Sequence, residues 1–456
     1  MKHLKIVFGL IWLAGAAQAQ QRYELSVKEA VDVAYKNVIE LKNAQVDYRI
    51  QEAQNKEIFG QALPQLSASA SIQYYLKLPQ VLFPQSDEGV YSVLKRENLV
   101  PSTTKAPPAV LVPFSFQQPW NFTVGPSLQQ LLFQPDVFVG LQARQTALNL
   151  SAAVIEQTRE KIKDSAYKRY YAILIAEKQL YFLNEGVKRL EKLYNDDSIM
   201  YKNGFAEHLD LERVQVQLNN LRTTQNVVGS AITLSYAALK FALGLSQQDT
   251  VVLRETLTNE TVKQDLLDES FAYENRAEIR TLGFTKELQE LDVKRYKLGY
   301  LPTVSLSSNY GITGQGKKFI TSDQTTWFKS SYVGMNVNLP IFDGFQRKYK
   351  TRQSQLNLEK VENNITFLKQ AIDFEQVVTK ESLKSALLNL DIQDRNLALA
   401  EKVYNSTKLK FEQGLGSSFE VLQADTDYQT SQSNYFNALY NAITARISYQ
   451  YALGKL

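Results

Sequence analysis

A chain of 456 residues without cysteine cannot form disulfides, thiolate metal sites, a cysteine nucleophile or a lipid-modified cysteine. Its 51 Lys and Arg against 47 Asp and Glu leave a formal charge of +4, too close to balance for a nucleic-acid surface. Of its two histidines only His208 lies beyond the first few residues, which removes His-based catalytic triads and His-rich metal sites.

At the front, Lys2, His3 and Lys5 precede the apolar run Ile6 to Ala17 and the A-x-A site Ala17-Gln18-Ala19. This predicts a secretory signal over residues 1–19, cleaved after Ala19, leaving Gln20 first and a formal charge of +2. The run is too short for the roughly 20 residues of a spanning helix, and no later stretch reads as one. An exported chain can still enter a membrane as a β-barrel.

All twelve prolines fall between Pro64 and Pro135 or between Pro302 and Pro340. A proline inside a helix costs about 3 kcal/mol, so the proline-free stretches, rich in Leu, Ala, Glu, Lys and Gln, predict long helices. Inside the two windows the period changes to two. Leu66-Ser67-Ala68-Ser69-Ala70-Ser71-Ile72 and Trp120-Asn121-Phe122-Thr123-Val124 alternate in the first, Val304-Ser305-Leu306-Ser307 and Tyr332-Val333-Gly334-Met335-Asn336-Val337 in the second. Each window predicts a hairpin, with one apolar face and one face of Ser, Thr, Asn, Gln and Gly. Tyr74, Tyr75, Trp120, Phe122, Trp327, Phe328 and Tyr332 cluster toward strand ends, the places of an interfacial girdle. The stretch 79–119 carries seven prolines and the apolar run Ala109 to Phe114, and is expected to be a flexible outward loop, with a lid as the alternative. Four strands cannot close a channel-sized barrel and lipid tolerates no open edge, so a membrane sheet of this kind must oligomerise.

The pattern occurs twice. Leu63-Pro64 matches Leu301-Pro302, and beyond the hairpins the offset settles at 210, pairing Tyr194 with Tyr404, Gly204 with Gly414 and Ala242-Leu243-Gly244 with Ala452-Leu453-Gly454. One repeat is read over 20–250 (helix, hairpin about 64–132, long helix, turn at 201–208, helix) and a second over 251–456 (helix, hairpin about 302–341, long helix, turn at 411–418, helix). Ile173, Ala176, Leu180, Leu183, Val187, Leu190 and Tyr194 make a heptad seam, matched by Leu383, Ala386, Leu390, Gln393, Leu397, Ala400 and Tyr404. A helix from about Gly344 to Phe411 would be about 100 Å long at 1.5 Å per residue. Shorter helices, one from about Glu269 to Gly299 and one after Gly414 ending near Leu453, together approach that length.

The duplicated order, with Tyr201-Lys202-Asn203-Gly204 then Leu209-Asp210-Leu211, and Phe411-Glu412-Gln413-Gly414 then Phe419-Glu420-Val421-Leu422-Gln423-Ala424, resembles the TolC-like outer-membrane efflux protein family from about Leu25 to Leu453. The resemblance implies a mainly α fold with a membrane β-barrel segment. It implies a homotrimer with a shared twelve-strand barrel in outer-membrane lipid and a long periplasmic α-helical barrel. It further implies a passive exit duct of a tripartite efflux pump or type I secretion system, joined by a periplasmic adaptor (membrane fusion) protein to an inner-membrane RND, ABC or MFS transporter, with no cofactor and no enzymatic activity. Gly204 and Gly414 close the helix pairs, where positive φ is needed. By resemblance they and Gly416 form the periplasmic tip that meets the adaptor, with Glu420, Gln423, Asp210, Tyr201 and Phe411 at the gate. Rings of Glu420 and Asp210 carboxylates in a trimer would attract cations and repel one another; a solvated carboxylate in a first helical turn is the plainer reading. Gln423 stands where the family pattern has a second acid and Gly416 where it has an arginine, so the closed tip is expected to rest on hydrogen bonds. The rival function is a trimeric coiled-coil surface scaffold, which needs the long helices and not the hairpins; a single-chain porin needs many more strands.

Overall fold

The computed structural model describes residues 21–255, 271–319 and 323–456. The signal predicted for residues 1–19 lies outside them. In chain order the elements are β1 (Arg22–Leu25), α1 (Val27–Asn37), α2 (Ile39–Gln61), β2 (Gln65–Tyr74), β3 (Val81–Gln85), α3 (Glu88–Arg96), β4 (Val110–Phe114), β5 (Trp120–Phe133), α4 (Pro135–Lys202), α5 (His208–Ala242), β6 (Thr250–Leu253), a 3-10 turn (Tyr273–Asn275), α6 (Ala277–Leu298), β7 (Thr303–Gly316), β8 (Thr326–Asn338), α7 (Gln346–Glu412) and α8 (Ser418–Ala452). Residues 53–144 and 289–356 form one compact unit and the remainder a second, so each unit draws on both halves of the chain.

The first unit is built on an antiparallel sheet in the order β2-β5-β7-β8. Its register aligns the apolar positions of every strand, Leu66 with Leu128, Ile72 with Phe122, Val304 with Val337 and Leu306 with Met335. Because successive side chains alternate, the opposite face collects Ser67, Ser127, Ser307, Asn309 and Asn336. Hydroxyls and amides there pair across strands, Ser67 with Ser127 at 2.8 Å and Asn336 donating to Ser307 at 3.1 Å. Among the described residues the edges β2 and β8 have no further partner strand, and Leu66, Ile72, Val333, Met335 and Val337 are exposed.

The stretch 79–119 is not the irregular loop expected of it. It contains β3 and β4, paired antiparallel, with α3 between them. The prolines misled: Pro84 and Pro113 sit inside this ribbon, opposite Leu111 and Leu82, because every second N–H of each strand in a two-stranded ribbon points outward, where a missing donor costs nothing.

The second unit is helical. The seam predicted in α4 is buried or half-buried throughout, and so is its counterpart in α7. One core gathers Leu25, Val31, Ala166, Tyr170, Ile173 and Leu239, with the Tyr170 hydroxyl donating to the Leu25 carbonyl at 2.8 Å. β1 and β6 add a parallel pair that no alternation announced. The helix expected from Glu269 starts at Ala277, and Glu269 itself lies outside the described residues. Before it, the 3-10 turn Tyr273–Asn275 leads to Arg276, which is buried and reaches Glu375 at 2.8 Å, Glu278 at 3.3 Å and the Ala452 carbonyl at 3.1 Å. The 22 residues of α6 and 35 of α8 therefore fall short of the 67 of α7.

Candidate functional site

The two turns predicted at 201–208 and 411–418 join α4 to α5 and α7 to α8. Gly204 has φ +79° and Gly414 φ +72°. This left-handed residue lets the next N–H fold back over the helix end, Phe205 donating to the Met200 carbonyl and Leu415 to the Lys410 carbonyl, both at 2.9 Å. Orphan carbonyls are thereby satisfied, and the chain reverses within a few residues. The side chains of Phe205 and Leu415 stand 78% and 77% exposed at the two apices.

Behind the apices the turns differ. Ser417 caps α8, its hydroxyl accepting from the Glu420 N–H at 3.2 Å, while Glu207 at the head of α5 makes no side-chain cap. Glu420 is exposed and its carboxylate lies over Gly416, where an added Cβ would come 3.3 Å from Oε2. Gln423 donates to Asp427 at 3.0 Å. Asp210 pairs with Arg213 at 3.2 Å, and the Arg213 guanidinium lies 5.1 Å from the Phe419 ring, tying one turn to the other. Tyr201 stacks edge-on with His208, and Phe411 packs against the apolar cluster of Leu190, Val214, Leu218 and Val421.

Sequence reasoning missed the groups beneath this layer. Asp425, on α8, is 2% exposed and receives Arg189 Nε of α4 at 2.7 Å and the Gln429 amide. The Arg189 guanidinium is sandwiched 5.4 Å from the Tyr404 ring and 5.1 Å from that of Tyr428. Burial pushes the Asp425 carboxyl above its ordinary range, and Arg189 opposes that rise. Asp197, fully buried, accepts from the Ser418 hydroxyl, and burial raises its carboxyl too. One signal was present: Val421, Leu422, Ala424 and Tyr428 place Asp425 on an inward helix face, where an acid needs a partner. Its partner stands 236 residues away and has no local signature.

In the sheet unit the aromatic residues divide. Tyr74 and Trp120 are paired with ring centroids 4.7 Å apart, and Phe122 meets Trp327 at 5.5 Å across Gly314, whose lack of a side chain leaves room for the indole. These four lie on the apolar face at one end of the sheet. Tyr75 follows directly after β2. Phe328 and Tyr332 belong to the polar face, and Tyr332 lies in mid-strand opposite Asn309, so it does not sit at a strand end as expected.

Two further features of the helical unit are apolar stripes left exposed among the described residues. On α5, Leu209, Val216, Val227, Leu234 and Phe241 recur at intervals of seven or eleven and are all exposed. On α7, Phe367, Phe374, Leu388, Ile392, Leu399 and Val403 are likewise exposed, spaced by four, seven or fourteen residues. Among the described residues no helix is long and apolar enough to cross a membrane.

Residues 272–455 match the outer membrane efflux protein family. The chain is 23% identical over 235 residues to the outer membrane efflux protein BepC of Brucella suis, covering 52% of this chain and 46% of BepC. It is 17% identical over 341 residues to the outer membrane protein TolC of Escherichia coli, covering 72% of this chain and 68% of TolC. It thus spans about half the length of the first of these relatives and two thirds of the second. Among solved structures it superimposes on CusC with a TM-score of 0.73, 15% identity and coverage of 94% and 92%. The CmeC outer membrane channel of Campylobacter jejuni gives 0.70, 16% identity and coverage of 94% and 85%. The fold over the described chain is thus shared with CusC and the CmeC outer membrane channel, and residues 272–455 carry the match to the outer membrane efflux protein family.

Proposed function

We propose that three copies of this chain assemble into an outer-membrane exit duct, a passive passage for cargo driven by an inner-membrane transporter. The observation that carries this reading is the sheet β2-β5-β7-β8, apolar on one face, polar on the other and unpaired at both edges. In hydrocarbon every backbone N–H and C=O must be satisfied, so β8 of one copy pairs with β2 of the next until the ring closes. The apolar face then meets lipid, with Tyr74, Trp120, Phe122 and Trp327 at the interface, and the Ser, Asn and Gln face lines a wet lumen. The exposed stripes of α5 and α7 support the same closure, since each needs an apolar neighbour that the described residues of its own chain do not supply.

In this reading the mature chain begins near Gln20, and Gly204, Gly414 and the exposed Phe205 and Leu415 face a periplasmic adaptor, which couples the duct to an RND, ABC or MFS transporter. Glu420 and Asp210 become threefold carboxylate rings at the tip. Purified in detergent, the protein is expected to run as a trimer and to conduct ions in a planar bilayer. A water-soluble trimer without conductance would favour the coiled-coil scaffold instead. Glu420→Gln is expected to weaken block by calcium; unchanged conductance and block across a calcium titration would remove the ring from the gate.

A further inference from the structure

The β3–β4 ribbon is apolar on both faces. Its register places Val81 opposite Phe114 and Phe83 opposite Val112 on one side, and Leu82 opposite Pro113 and Pro84 opposite Leu111 on the other. Val81, Leu82, Phe83, Leu111, Val112 and Phe114 are all exposed, and Phe116 is 69% so. Phe83, Val112, Phe114 and Phe116 also border an open cleft of about 540 Å³. Water does not tolerate such a ribbon alone, and its position decides what can cover it. It is inserted between the ends of β2 and β5, at the aromatic end of the sheet where Tyr74 meets Trp120. That is the end farthest along β2 from α2, and so the outer mouth if the helices lie on the periplasmic side.

We infer that the three ribbons of the assembled duct pack face to face into an apolar cap over its outer mouth, the Phe83 face of each copy against the Leu111 face of the next. The inference rests on the trimeric duct proposed above. Two observations select a second copy as the occupant. A membrane surface covers one side of a ribbon and leaves the other wet, whereas a threefold ring in which each copy offers one face to each neighbour buries both. Pro84 and Pro113 lie in pairs of the same parity, the class a proline can occupy without interrupting the ladder, which directs their missing donors to the two outer edges. Edge-to-edge extension is thereby blunted, leaving contact between faces, and the unpaired β2 edge beside the ribbon's root carries the same neighbour. Cargo leaving the duct would then part the cap, and solutes outside would meet a dry closure.

The absence of native cysteine makes the test direct. Phe83→Cys/Leu111→Cys puts thiols on opposite faces, where they cannot bridge within one ribbon. Oxidation in intact outer membranes is expected to yield covalent dimers and trimers, while each single variant stops at the monomer. A parallel variant, Leu234→Cys/Leu388→Cys, reports contact between α5 and α7 of neighbouring copies. Cross-linking in the helical pair with none in the ribbon pair would overturn the cap and leave the duct standing; failure of both, with a monomer in detergent, would overturn the duct and the cap together. A bimane on Phe83→Cys quenched by spin-labelled lipid would also overturn the cap, in favour of membrane contact. Replacing residues 80–115 with a short Gly-Ser linker is expected to raise single-channel conductance at least twofold, and unaltered conductance would exclude a closed cap.

Discussion

The turn between α4 and α5 and the turn between α7 and α8 share a backbone plan, each reversing through a positive-φ glycine, yet the buried charge near them joins α4 of the first pair to α8 of the second. Around Gly204 the side-chain pairs lie at the surface, half-buried Asp210 with Arg213 and His208 beside Glu212. Between α4 and α8 lie Asp197 bound to Ser418 and Asp425 bound to Arg189 between two tyrosines. Surface pairs are screened by water and adjust freely, while a buried pair ties α4 to α8 in one geometry. The comparison teaches that a repeated fold can fix one junction between its two copies with buried charge while the pairs at the surface of a turn stay adaptable.

Removing Arg189 should break this asymmetry most. Arg189→Ala strands a buried carboxylate and is expected to cost about 3 kcal/mol at neutral pH, read as a lower melting temperature of the detergent-solubilised protein. The loss should shrink on acidification. Burial already raises the Asp425 carboxyl, and without Arg189 it rises further, so the penalty is present above that raised folded-state pKa and fades as pH falls through it. A loss of equal size at pH 4 and pH 8 would refute the ionic account.

The glycines should show what the two turns have in common. Gly204→Ala and Gly414→Ala each place a Cβ in left-handed backbone, and each is expected to cost about 1 to 2 kcal/mol. Neither added Cβ would meet a neighbour, so the two losses should agree. A large difference would show that one turn is strained by contacts beyond its backbone.

The caps offer a smaller and opposite pair of effects. Ser417→Ala is expected to lose about 1 kcal/mol, while Glu207→Ser should gain a similar amount by giving α5 the cap it lacks. At the bottom of the scale, Asp210→Asn removes a surface pair and should shift stability by no more than about 0.5 kcal/mol. Should it instead match Arg189→Ala, the contrast between buried junction and turn surface would disappear.

Much of this architecture could be read from local pattern. Proline placement separated sheet from helix, α7 ends one residue beyond the expected Phe411, and the alternation in the strands announced one apolar and one polar face. These features depend on near neighbours in the chain, through proline's missing N–H, a period of two and the freedom of glycine at the turns. Where the pattern was ambiguous it misled, as with the prolines of the ribbon and the aromatic Phe328 and Tyr332, whose face depends on strand parity and not on composition.

By itself the sequence determined where helices run, where they turn and which strand residues are apolar, because backbone chemistry and periodicity act over a few residues. Only the tertiary structure decided that Arg189 meets Asp425, that Arg276 meets Glu375, that β2 and β8 are the edges of their sheet and that α5 and α7 keep exposed apolar stripes. Those outcomes join residues tens to hundreds of positions apart. Their energies come from burial and desolvation, quantities that have no value until the chain has folded around them.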